Sequence, residues 1–209
     1  MSKKMPKIIA ICGAKRCGKD VLAEHLVNKY NYERVAFADP LKEAVKTLFD
    51  FDDDQVGIGK DNGTGRKDIV DEKWGITPRA ALQFFGTEMM QEKIQELLPD
   101  VKRNFFANSL KNYITARMNT SEGQRFVISD LRFMHEYEML FSIPKIRKDD
   151  IVIIRVIRPP SNPTLKLEEP HIHIHISEIE YMKIPYDVII TNDGTIEGYI
   201  SKFEKIIDY

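Results

Sequence analysis

The chain has 209 residues, a formal net charge of −1 and a hydrophobic fraction of 43%, enough for one globular core with a small inserted subdomain. That charge balance argues against general nucleic-acid binding, which calls for a basic excess, and no apolar run approaches the roughly 20 residues that span a bilayer. The two cysteines, Cys12 and Cys17, lie beside a glycine loop and read as reduced thiols of a soluble, cytosolic protein, not as a disulfide framework.

Lys7–Cys12 is a short apolar run closed by Gly13 and is predicted to be a buried strand. The apolar run Ile8–Cys12 is too short for a signal sequence. Leu22, Leu26 and Tyr30 recur every four residues and share one face of a predicted helix. Arg34–Ala38 reads as a second short strand. Pro40–Phe49 reads as a helix with Leu41, Val45 and Leu48 on one face. Asp50–Gly75 is acidic and glycine-rich, and is expected to be an irregular excursion, either a functional loop or a tolerated insertion. Thr77-Pro78 supplies an N-cap and a first helical residue for a helix running towards Gly86-Thr87-Glu88. A helix over Phe105–Met118 leads to a turn at Ser121-Glu122-Gly123.

Arg125–Ser129 is predicted as a buried strand ending on Asp130, followed by a helix over Met134–Phe141. Ile151–Ile157 is a third apolar strand, Pro159–Pro170 an irregular loop or lid, Asp187–Thr191 the last strand, and Ile196–Ile207 a closing helix. No internal repeat is present. Strands alternating with helices throughout imply a three-layer α/β fold on a mainly parallel sheet.

The strongest chemical signal is Gly13-Ala14-Lys15-Arg16-Cys17-Gly18-Lys19-Asp20, a G-x-x-x-x-G-K phosphate loop. Its backbone N–H groups can curl around phosphate oxygens, the following helix adds positive charge at its start, and Lys19 reaches the β- and γ-phosphates. On average glycine usage the pattern arises by chance in roughly one chain in twenty of this length. Here it lies between a predicted strand and a predicted helix, the context the motif requires. The hydroxyl residue that usually follows the lysine is Asp20 here; it could ligate Mg²⁺ or act as a base near the acceptor. Asp130, at a strand end, suits a water-mediated Mg²⁺ role or caps the next segment.

Gly18-Lys19-Asp20 also carries a resemblance. With Phe37-Ala38-Asp39-Pro40-Leu41-Lys42, Thr77-Pro78-Arg79, Leu82-Gln83-Phe84-Phe85-Gly86-Thr87-Glu88, Ser129-Asp130-Leu131-Arg132-Phe133, His175-Ile176-Ser177-Glu178 and Asn192-Asp193-Gly194-Thr195, the chain resembles the viral and bacterial deoxynucleoside monophosphate kinases from about residue 7 to residue 207. The resemblance implies a P-loop kinase fold with an acceptor-binding helical insertion at about 50–118 and a lid at about 158–178. It implies ATP-dependent phosphorylation of deoxynucleoside monophosphates with ATP and Mg²⁺ as cofactors.

On this resemblance Gly13, Ala14, Lys15, Arg16, Cys17, Gly18, Lys19, Asp20 and Val21 hold ATP, with Asn192 and Gly194 near its base. Asp20 and Asp130 organise Mg²⁺, and Lys19, Asp20, Asp130, Arg132 and Arg158 form the catalytic set. Asp39, Lys42, Arg79, Gln83, Arg132 and Glu136 face the acceptor. Small nucleotides are the expected partners, with no nucleic acid and no membrane. A homodimer is compatible, and the location is cytoplasmic, the host cytoplasm for a viral chain.

Bland readings stand beside these. Asp39 could be a helix cap, Arg79 and Arg132 solvated arginines, and Arg155 could replace Arg158. Met89-Met90-Gln91 stands where the family often has an arginine, so Lys93 or Arg103 could supply that contact. Val21 replaces a frequent threonine. His171-Ile172-His173-Ile174-His175 reads as an incidental surface run more than a metal site, Asp52-Asp53-Asp54 as a solvated charge run, and Trp74 as packing or a platform under the acceptor base. The rivals are a kinase like the animal phosphomevalonate kinases and a non-catalytic P-loop nucleotide-binding regulator.

Overall fold

The computed structural model describes residues 5–58, 66–121, 123–159 and 179–207. In chain order its elements begin with β1 (Ile8–Cys12), α1 (Lys19–Tyr30), β2 (Glu33–Val35), α2 (Asp39–Phe49) and α3 (Asp53–Val56). A 3-10 turn at Arg66–Asp68 precedes α4 (Pro78–Gln83), a π-helical stretch over Phe84–Lys93, α5 (Ile94–Leu97) and α6 (Phe105–Thr120). Then follow β3 (Phe126–Leu131), α7 (Met134–Leu140), β4 (Ile151–Ile157), β5 (Val188–Thr191) and α8 (Ile196–Ile207).

Two compact units divide the chain, residues 1–36 with 111–209 and residues 37–110, so the boundary falls inside α6. The first unit holds the sheet, ordered β2-β3-β1-β4-β5 with every pairing parallel. β1 is central and all five of its residues are fully buried. A strand covered on both faces needs a continuous apolar run, and Ile8-Ile9-Ala10-Ile11-Cys12 provides one. Leu22 and Leu26 of α1 and Tyr199 and Phe203 of α8 pack into the same core cluster as Ile9, Ile11, Ile154 and Ile190.

The second unit has its own small core of Val45, Phe51, Val56 and Ala81, flanked by Leu41, Phe49 and Phe85. Thr77 caps α4 as its sequence implies, Oγ1 accepting from the Ala80 N–H at 3.1 Å. Several sequence expectations change here. Leu48 is 61% exposed although it follows Val45 at near-helical spacing, because α2 buries a narrow stripe. Asp39 is the first residue of α2 and not its cap. Part of the expected irregular stretch is ordered: Asp52 and Gln55 form a reciprocal capping box at the start of α3. That box, with the Asp52–Arg66 and Asp53–Lys46 ion pairs, accounts for two acids of the Asp52–Asp54 run.

Among the described residues no helix is long and apolar enough to cross a membrane. The His171–His175 run, the His175–Glu178 motif and the proposed lid from residue 160 onward lie outside the described residues.

Phe203 is fully buried in the core of the first unit. Replacing it with alanine is expected to lower the unfolding free energy by about 3–5 kcal/mol. Denaturant titration measures this, and a loss under about 1 kcal/mol would contradict the packing described.

Candidate active site

The phosphate loop leaves the carboxyl end of the central strand β1. Gly13 is buried at φ 149°, and a Cβ there would lie 2.4 Å from the Val156 carbonyl oxygen of β4 and 2.8 Å from Cys17 Sγ. Only glycine fits that approach. Ala14, Lys15 and Arg16 form the exposed crown of the loop, and Cys17 and Lys19 turn back into the protein. Lys19 is 7% exposed, and its Nζ donates to the carbonyls of Gly13 at 2.9 Å and Ala14 at 2.7 Å. Gly18 stands in the N-cap position of α1 at φ 111°. A glycine loop that runs directly into the start of a helix is the arrangement that binds an anion.

The loop is braced from the far end of the chain. The Asn192 side-chain amide donates to the Cys17 carbonyl at 2.9 Å, and the Tyr199 hydroxyl donates to the Gly18 carbonyl at 3.2 Å. Asn192 follows β5, which is registered on β4 with Ile157 opposite Thr191. Its contact is therefore with the loop backbone. Burial pushes the Cys12 and Cys17 thiols above their ordinary range, with neighbouring cations opposing the shift. Both thiols are free.

Registration of the two neighbouring strands brings three further charged residues to this edge. Cys12 lies opposite Leu131 of β3 and Arg155 of β4. Asp130 and Arg132 flank Leu131, and Arg158 lies just past β4, where its Nη1 donates to the Arg16 carbonyl at 3.4 Å. The competing Arg155 is structural: its Nη2 donates to the carbonyls of Tyr181 and Met182, and its guanidinium lies over the Tyr186 ring. Glu136, placed by sequence with the acceptor, is 5% exposed and accepts the N–H groups of Arg132 at 2.8 Å and Phe133 at 3.0 Å. It shapes the turn that carries Arg132. Burial first, and then the Asp130 charge, raise its pKa to about 8.

Asp20 is half exposed and paired with Arg34, whose Nε also donates to Ser129 Oγ at 3.2 Å. Sequence reading missed Arg34. The signal was available: an acid placed beside a phosphate loop calls for a nearby cation, and the strand after α1 carries one at Arg34. Asp20 and Asp130 are the oxygen donors at this edge, and no cluster of three metal-binding side chains occurs among the described residues. Two carboxylates completed by phosphate oxygens and water are the set that Mg²⁺ takes in phosphoryl-transfer sites, so the residues fit that ion.

The acceptor candidates Asp39, Lys42, Arg79 and Gln83 belong to the second unit. Arg79 grips Asp68 with two nitrogens, and Lys42 donates to the Gly57 carbonyl at 3.2 Å and pairs with Asp39 at 3.7 Å. Gln83 is exposed at the end of α4. Lys93 pairs with Glu96 at 2.8 Å, and Arg103 donates twice to Oε1 of the buried Gln91, at 3.2 and 3.0 Å. The Trp74 indole N–H donates to the Phe49 carbonyl at 2.7 Å with the rings edge to face, while the residue stays 44% exposed.

Two outcomes follow. Gly13→Ala forces a Cβ onto the Val156 carbonyl, and is expected to cost about 1–3 kcal/mol of stability and to weaken nucleotide binding; thermal unfolding and nucleotide titration read both. For Glu136 the folded pKa is above the ordinary carboxylate value, so between about pH 4.5 and 8 the native state holds a proton that the unfolded chain has released. Stability should fall as pH rises through that window, by at most about 1.4 kcal/mol per pH unit from this group. Glu136→Gln should flatten the slope in pH-dependent denaturation, and an unchanged slope would contradict it.

Comparison with known proteins agrees with the sequence motifs. The family model described as deoxynucleotide monophosphate kinase matches residues 7–62. A protein of Acanthamoeba polyphaga mimivirus, provisionally named a deoxynucleotide monophosphate kinase, is 29% identical over 205 residues, 96% of each chain. The deoxynucleotide monophosphate kinase of Escherichia phage RB69 is 29% identical over 138 residues, 66% of this chain and 47% of the phage protein. Among solved structures, the dephospho-CoA kinase of Campylobacter jejuni aligns over 98% of this chain and 97% of its own, at 13% identity and a TM-score of 0.44. The α/β reading rests on the strand order of the chain itself. Over nearly its whole length, then, the chain is similar to one viral protein provisionally named a deoxynucleotide monophosphate kinase.

Proposed function

We propose that the protein transfers the γ-phosphoryl group of ATP to a deoxynucleoside monophosphate. The observation that carries this reading is the convergence at one sheet edge. The phosphate loop leaves β1, Asp130 and Arg132 lie at the end of one neighbouring strand, and Arg158 follows the other. Phosphoryl transfer demands little covalent chemistry from a protein, and depends on positioning and on cations where charge develops.

In this reading Lys19 exchanges the Gly13 and Ala14 carbonyls for β- and γ-phosphate oxygens. The loop amides hold the triphosphate, and Arg132 and Arg158 neutralise charge around the transferred group. Asp20 and Asp130 would hold Mg²⁺, which would supply further neutralisation of phosphate charge. Glu136 keeps the Arg132 backbone in place through its two accepted N–H bonds. Asp39, Lys42, Arg79 and Gln83 supply the acceptor contacts, Arg79 exchanging Asp68 for the acceptor phosphate. The segment at about 158–178 serves as the lid that excludes water. The site of action is the cytoplasm, the host cytoplasm for a viral chain.

The test is ADP release from Mg²⁺ and ATP across the deoxynucleoside monophosphates, their ribose forms and phosphomevalonate. Turnover with deoxynucleotides is expected, falling roughly 100-fold or more in Lys19→Ala. Turnover with phosphomevalonate alone would move the chain to the other small-acceptor kinases. ATP binding without any acceptor-dependent turnover would make it a nucleotide-binding regulator.

A further inference from the structure

We infer that Arg34 is the counter-ion of Asp20, a positioning residue that lets nucleotide enter the phosphate loop before the metal does. The inference rests on the proposed ATP site. In most such loops the residue after the lysine is a neutral hydroxyl. Here it is a carboxylate in the first turn of α1, placed where a polyphosphate of like charge must come. Without a metal, that charge opposes binding.

The structure supplies the compensation. Arg34, in the edge strand β2, pairs with Asp20 through one terminal nitrogen. Its Nε donates to Ser129 Oγ at 3.2 Å, and Ser129 is 4% exposed and immediately precedes Asp130 in β3. β2 and β3 are paired, with Arg34 opposite Val127. The guanidinium is thus tethered from the sheet side and presents its other arm to Asp20. A guanidinium stays protonated throughout the accessible pH range, so the compensation does not lapse. When Mg²⁺ arrives with or after the nucleotide, Asp20 has a second cation available and the need for Arg34 lessens.

This predicts a signature that a merely structural pair does not give. Affinity for a non-hydrolysable ATP analogue is measured by calorimetry on the full chain, with Mg²⁺ and with chelator. Arg34→Ala should weaken metal-free binding about tenfold and metal-loaded binding less than about threefold. Arg34→Lys, which keeps the charge, should restore most of the metal-free affinity. Ser129→Ala should reproduce a part of the loss. In an Asp20→Ser background the selective effect of Arg34→Ala should disappear. Equal loss with and without Mg²⁺, or the same selective loss in the Asp20→Ser background, would overturn the inference, the latter because Arg34 would then act on phosphate directly. Wild-type protein that binds no analogue under either condition would instead remove the ATP site itself, and the inference with it. Thermal unfolding of each variant separates lost folding from lost binding.

Discussion

The Val156 carbonyl oxygen lies where the first carbon of any side chain at residue 13 would have to be, 2.4 Å from an ideal Cβ. This one close approach sets how the chain turns out of the sheet. β1 is held on both sides by parallel neighbours, and its continuation has to bend across the end of β4 before α1 can begin. A glycine with positive φ permits that bend. The bend places the loop crown in solvent and returns Cys17 and Lys19 to the interior. The positions of Asp130, Arg132, Arg158 and Asn192 around the loop follow from strand register, since each lies at or just beyond a strand carboxyl end.

Charge is managed at this edge by different means at different depths. Glu136 is fully enclosed, and accepts two backbone N–H groups from the turn it supports. Burial resists its ionisation and the nearby Asp130 charge adds to that resistance, outweighing the backbone N–H groups and the Arg132 charge that favour the ionised form. Asp20, half exposed, meets a guanidinium instead. Arg155 is spent on the carbonyls that close the Glu180–Lys183 turn, which leaves Arg158 as the β4 arginine beside the loop. Two arginines three residues apart therefore have different partners, one the carbonyls of the Glu180–Lys183 turn and one the Arg16 carbonyl of the loop.

Much of this was legible in the sequence where local pattern and tertiary demand coincide. Ile8–Cys12, Ile151–Ile157 and Ile196–Ile207 fall where their apolar runs and periodicity place them. The phosphate loop announces itself because its backbone course leaves few residue choices. Thr77 could be read as a cap because the bond it makes spans three residues. The Asp20–Arg34–Ser129 chain could not be read the same way, because it joins a helix to two strands and no periodicity encodes it. Leu48 misled for a related reason: spacing says which residues share a face, not how wide the partner surface is. The π-helical turn over Phe84–Lys93 was equally hidden, since its sequence satisfies an ordinary helix.

The bracing of the loop by Asn192 and Tyr199 has a kinetic side. Cys17 and Asn192 are 175 residues apart, and Gly18 and Tyr199 are 181 apart. At about 5–20 residues per second of synthesis, the loop leaves the ribosome roughly 10–35 s before its braces exist. For most of that interval β1 also lacks β4 and the Val156 carbonyl that shapes Gly13. The loop thus takes its final form only after β5 and α8 have been made.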